Sequence, residues 1–181
     1  MFTIGHSTLP GDVFVKALHE EGVRFLVDIR TIPKSRHNPQ FMQEALAGSL
    51  HKAGIAYRWQ QSLGGLRHAH KDSINMGWRN PSFRGYADYM QTKDFKSAID
   101  ELLQASPESE TAIMCAEAVP WRCHRSLVAD ALTARNVSVE NIFCDAQGRH
   151  HRAQHKLTSF ARVEGERVWY PPEDDLFAAI R

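Results

Sequence analysis

Short apolar runs alternate with amphipathic segments of helical period through the first 143 residues, and few architectures accommodate that pattern. Residues 2–5, 24–30, 55–59, 111–115 and 137–143 read as strands. Residues 10–22, 39–53, 82–105 and 120–135 read as helices. Gly22 and Gly54 stop the first two helices. The third is one long helix or two with a break near Thr92 to Asp94, with Asn80 or Ser82 as its N-cap. Pro120 falls in the first turn of the fourth, where proline is tolerated. The second strand is apolar through its centre, as a parallel strand covered on both faces must be. Alternation of this kind builds a mostly parallel sheet with right-handed crossovers. The expected fold is α/β: a mostly parallel sheet of about five strands flanked by helices, with a small C-terminal hairpin and helix. Residues 1–145 form the core domain in this reading. Residues 146–181 form an extension packed on the same domain, with a turn at Glu164-Gly165-Glu166 and a last short helix after Pro171-Pro172.

A chain of 181 residues is long enough for one sizeable core. No apolar run reaches the roughly 20 residues that span a bilayer. The first residues, Met1 to His6, lack the basic and apolar regions of a secretory signal. Three cysteines, an odd number, fit a reducing compartment better than a disulfide framework. A cytoplasmic location and no membrane partner are therefore expected. The net charge of +1 excludes a wholesale polyanion binder, but the charge is unevenly distributed. Residues 28–93 hold ten Lys or Arg against four Asp or Glu, whereas residues 94–144 hold four against eight. The basic middle favours an anionic partner over a cationic one.

In a parallel sheet the carboxyl ends of the strands share one rim, and open α/β folds bind their ligands there. The polar residues concentrate at that rim: Gly5-His6-Ser7, Asp28 to Arg30 with Ser35-Arg36, and the stretch from Cys115 through Glu117 to Cys123-His124-Arg125. Cys123 is the sharpest candidate. In the first turn of a helix, with Arg122 and Arg125 beside it, its thiol would be acidified and could act as a nucleophile. His6, His124 and Glu117 are the candidate acids and bases. Arg30, Arg36, Arg122 and Arg125 could clamp a phosphate or carboxylate, with the helix start at residues 120–124 adding backbone donors. The plainer alternatives are a core thiol at Cys115 and an Asp28–Arg30 pair. His68-Ala-His70 and His150-His151 with His155 resemble metal tracts, but no zinc-finger cysteine spacing accompanies them. The eight-residue separation of Cys115 and Cys123 is not the spacing of a disulfide oxidoreductase. No glycine-rich dinucleotide or Walker motif names a cofactor.

Taken together, Thr3-Ile-Gly-His-Ser7, Leu26-Val-Asp-Ile-Arg30 with Pro33 and Ser35-Arg36, Leu63-Gly-Gly65, Phe83-Arg-Gly-Tyr86 through Met90, and Cys115-Ala-Glu117 with Pro120 and Cys123-His-Arg125 resemble domain-of-unknown-function family 488. The resemblance implies an α/β fold and brings Arg84, Tyr86 and Tyr89 toward the same cleft. It implies no particular reaction. The leading expectation is a cleft for a phosphorylated or otherwise anionic small molecule, lined by Ser7, Arg30, Ser35, Arg36, Arg84, Tyr86, Cys115 and Arg125, with Cys123 as reactive thiol. Two alternatives stand beside it. One is a nucleotide or nucleic-acid binding module using Tyr57, Trp59, Trp78, Tyr86 and Tyr89 as stacking surfaces. The other is a metal or redox sensor.

Overall fold

The computed structural model describes residues 1–105 and 110–172. Its main sheet has six strands in the order β3-β2-β4-β1-β5-β6. Five are parallel: β1 (Phe2–Gly5), β2 (Phe25–Asp28), β3 (Ala56–Trp59), β4 (Thr111–Cys115) and β5 (Glu140–Cys144). The sixth, β6 (His150–Gln154), runs antiparallel beside β5. Alternation within each strand decides what each face receives. Ile4, Leu26, Ala112 and Met114 point to one face, where they pack on α1 (Gly11–Glu20) and α2 (Gln43–Lys52) through Phe14, Leu18, Leu46 and Leu50. Val27, Ile113 and Cys115 point to the other face, against α3 (Pro81–Tyr89), α4 (Lys93–Ala105) and α5 (Arg125–Thr133).

The α/β expectation therefore holds, and the structure corrects its details. The segment at 150–154 was expected in the C-terminal hairpin, yet it forms the sixth strand of the sheet. The hairpin is smaller, β7 (Arg162–Glu164) paired with β8 (Arg167–Trp169). The long helix divides at Met90 to Thr92, and Asn80 caps its first half by accepting from Ser82 N at 2.9 Å. The helix expected from Pro120 begins later: residues Pro120–Arg122 form a single 3-10 turn, Cys123 is extended, and α5 starts at Arg125. The last short helix falls largely outside the described residues.

β1 and β4 lie side by side at the middle of the sheet, but the chain leaves them toward opposite faces. After β1 it turns to α1; after β4 it turns to α5. Two adjacent loops diverging in this way open a crevice at the carboxyl edge, the switch point of an open α/β sheet. The ladder continues into its floor, with His6 N donating to Cys115 O and Ser7 N to Ala116 O. Ser7 then takes a positive φ of 46°, a strained conformation for a non-glycine residue where the loop breaks away.

Candidate active site

A cleft of about 800 Å³ occupies this switch point. His6, Ser7, Arg30, Ser35, Cys115, Glu117, Cys123 and His124 all line it, together with Lys34, Asn38, Gly65, Leu66, Phe83 and Arg122. Eight of the twelve residues singled out from the sequence thus meet at one mouth. Arg36, Arg84, Tyr86 and Arg125 do not line the walls, and each has a physical reason. Arg36 is exposed outside the cleft. The Arg84 guanidinium donates twice to Trp78 O, at 3.0 and 2.8 Å. Tyr86 is wholly buried and donates to Leu63 O at 2.8 Å. Arg125 is only 1% exposed and lies beneath the site.

Arg125 organises the thiols. Its Nη1 donates to Cys115 Sγ at 2.9 Å and to Glu117 O at 2.8 Å, while Nη2 donates to Ala118 O at 3.1 Å. Its backbone N donates to Cys123 Sγ at 3.5 Å. One residue thus touches both sulfurs. Burial pushes the Cys115 thiol up, but the adjoining Cys123 thiol and the Arg125 charge outweigh it and bring the group down to about 7. Burial and the neighbouring Cys115 drive Cys123 the other way, well above its ordinary value. The sequence reading gave the acidified thiol to Cys123. The structure assigns it to Cys115, because the guanidinium reaches down to the strand end instead of out to the turn. The helix start also offers fewer free amides than expected: Arg122 N donates to Val119 O, Cys123 N to Pro120 O and Ser126 N to Cys123 O.

The arrangement fixes both histidines as neutral rings. His124 Nε2 lies 3.1 Å from Ile29 O, which can only accept, so Nε2 carries the proton and Nδ1 presents a lone pair to Cys123 Sγ at 3.5 Å. His6 Nε2 receives Arg30 Nη1 at 3.2 Å, and so Nδ1 carries the proton and donates to Ser7 O at 2.8 Å. Burial, the largest cause, lowers each to about 4. With both nitrogens engaged, His6 is less available as a base than its rim position implied. Arg30 has little left for a ligand. It pairs with buried Asp28 through Nε at 2.9 Å and Nη2 at 2.5 Å, and Nη1 also donates to Phe41 O at 2.9 Å. The plain pairing read as an alternative is what forms. Tyr57 and Trp59 complete it, the first donating to Asp28 Oδ2 and the second to Arg30 O.

At the site, Gly5 and Gly65 are required by close approach. A Cβ on Gly5 would sit 1.7 Å from Glu117 O and 2.6 Å from Arg125 Nη1. A Cβ on Gly65 would sit 2.4 Å from His124 Nδ1. Arg122, read from the sequence as part of an anion clamp, does line the cleft; Lys34 and the apolar rim of Ile32 and Leu66 went unremarked as site residues in the sequence. Ile32 and Leu66 are 58% and 72% exposed, large for apolar side chains. No spacing rule marks them, since the loops carrying them have no period.

The aromatic rings proposed for base stacking are engaged elsewhere. Trp78 packs among Phe83, Phe160 and Tyr170, and Arg67 covers the Tyr89 ring at 3.6 Å. His155 Nε2 donates to Asp130 Oδ1, and His151 stacks on Phe143. Among the described residues no group of three or more His, Cys, Asp or Glu side chains is arranged to hold a metal ion. No described helix is long and apolar enough to cross a membrane.

An open, mostly parallel sheet with a thiol-bearing cleft at its switch point defines an α/β protein with a candidate active site in the expected place. The chain belongs to the family described as Domain of unknown function DUF488, whose model matches residues 11–132. No curated protein and no solved structure matches it.

Proposed function

We propose that the chain is a cysteine-dependent enzyme acting on an anionic organic molecule bound in the switch-point cleft. The observation that carries this reading is the 2.9 Å hydrogen bond from Arg125 to Cys115 at the cleft floor. A buried guanidinium against a sulfur favours thiolate, the nucleophilic form. Cys123 stands next to it as the second reactive thiol, with the His124 lone pair positioned to take its proton. Glu117 supplies a carboxylate at the mouth. Lys34 and Arg122 are exposed in the walls, and neither is in an ion pair with a described residue. They, with Ser7, Ser35 and Asn38, are the groups that would hold an anion. Arg30 serves to position His6.

The test has two readings. Calorimetric titration with phosphate, sulfate and nucleoside monophosphates should show saturable binding for at least one, weakened about tenfold by Lys34→Ala or Arg122→Ala. Iodoacetamide should label Cys115 with a rate that climbs through a pH of about 7. A bound ligand should slow the labelling. Absence of saturable binding together with a slow, ordinary thiol profile would overturn the proposal.

A further inference from the structure

We infer that Cys115 and Cys123 form a redox-active pair that reduces a hydroperoxide and closes to a disulfide. The inference builds on Cys115 as the thiolate of the proposed site, and adds a reaction that anion binding does not require. Three observations support it. Both cysteines are among the residues lining one cleft, Cys115 1% and Cys123 6% exposed. Arg125 contacts both, through Nη1 to Cys115 and through its backbone N to Cys123. The two thiols adjoin, each shifting the other's titration. Cys123 also lies in the extended residue between a 3-10 turn and α5. The third cysteine, Cys144, ends β5 and donates to its neighbour's carbonyl, Asp145 O, at 3.5 Å. It is outside the cleft walls.

The chemistry balances with the peroxide as the only oxidant. The Cys115 thiolate attacks the terminal oxygen of the hydroperoxide, and the O–O bond breaks. Cys115 becomes a sulfenic acid, and the departing alkoxide takes up, through water, the proton that the Cys115 thiol released on ionising and leaves as an alcohol. Cys123 then passes its proton to His124 Nδ1, and its sulfur attacks the Cys115 sulfur. The S–O bond breaks, and the hydroxide collects the proton from His124 and leaves as water. Two electrons have passed from the two thiols to the peroxide. The Arg125 charge serves twice, holding the attacking thiolate and polarising the oxygen that arrives beside it. An external dithiol returns the pair to its reduced form.

The experiment uses the full reduced chain with one equivalent of hydrogen peroxide, read by intact mass and peptide mapping. The expected result is a loss of two hydrogens and a Cys115–Cys123 cross-link, reversed by dithiothreitol, with Cys144 still a free thiol. In Cys123→Ser the reaction should stop at a Cys115 sulfenic acid that a cyclic dione traps. In Cys115→Ser the peroxide should be consumed at least about tenfold more slowly. A wild-type chain that keeps its mass, or that oxidises first at Cys144, would overturn the inference, as would a Cys115 sulfenic acid that persists with Cys123 present. Iodoacetamide labelling of the same untreated sample separates the two ideas. Fast labelling of Cys115 without disulfide formation defeats the redox pair alone; slow labelling and no disulfide defeat the thiolate reading as well.

Discussion

His6 and His124 flank the cleft as neutral rings, each with one nitrogen bound to a carbonyl that can only accept. Enclosure makes the charged form unfavourable, so both groups fall from 6.5 to about 4 on folding. A lowered histidine binds fewer protons folded than unfolded between those two values. Stability is therefore full above pH 6.5 and declines as the pH falls toward 4. The two rings together predict a steep acid slope, each contributing up to roughly 3 kcal/mol. Urea denaturation at a series of pH values between 7 and 4.5 measures it. His124→Asn should flatten that slope relative to wild type even if it lowers stability overall; an unchanged slope would show that His124 is not held neutral.

Elements that lack regular structure are held by single buried carboxylates. The stretch between β3 and α3 has no period, and only a 3-10 turn at Gln61–Leu63 organises its start. Asp88 on α3 anchors it, accepting from His70 N at 2.8 Å, Ser73 Oγ at 2.5 Å and Asn75 Nδ2 at 2.8 Å. Burial raises its carboxyl, but these bonds outweigh that and hold it below the usual range. Gly65 and Leu66, in the same stretch, form part of the cleft wall. Asp88→Ala leaves three donors without their acceptor, two of them on buried or half-buried groups. We expect a loss of about 3 kcal/mol or more in urea denaturation. Limited proteolysis should then cut first between residues 64 and 80. Cleavage elsewhere would assign the anchoring to another contact.

At the scale of the whole molecule, the segment after β6 is tied to the sheet through Asp130. This buried carboxylate on α5 meets His155 Nε2 at 2.8 Å through Oδ1 and Tyr170 OH at 2.8 Å through Oδ2; Thr158 N also donates to Oδ1, at 3.1 Å. Three points of the C-terminal stretch thus converge on one side chain of the core. β6 adds a further link, pairing with β5 along its length. A single cooperative unfolding transition covering both parts follows from these ties. Tyr170→Phe should lower its midpoint by about 1–2 kcal/mol, because Asp130 loses one donor in a dry site. A separate early transition, with the main one unmoved by the substitution, would mean that the hairpin folds on its own.

The sequence by itself determined the layering and the edge of the sheet at which the candidate residues meet. Strand-length apolar runs and helix-length amphipathic ones are local patterns, legible because burial repeats with the period of each element. The rim residues His6, Ser7, Ser35, Glu117 and Cys123 were likewise legible, since every parallel strand ends on the same edge. The tertiary structure alone decided which charge meets which partner. Asp28 claims Arg30, Trp78 O claims Arg84, and Arg125 turns inward to Cys115. Asp28 and Arg30 are neighbours on one strand end, a pair the sequence already offered as an alternative; the Arg125 pairing joins a helix to a strand end, and a guanidinium's reach lets it serve either a ligand or its own fold. The choice follows from which acceptors lie buried within reach, and that exists only once the chain has folded.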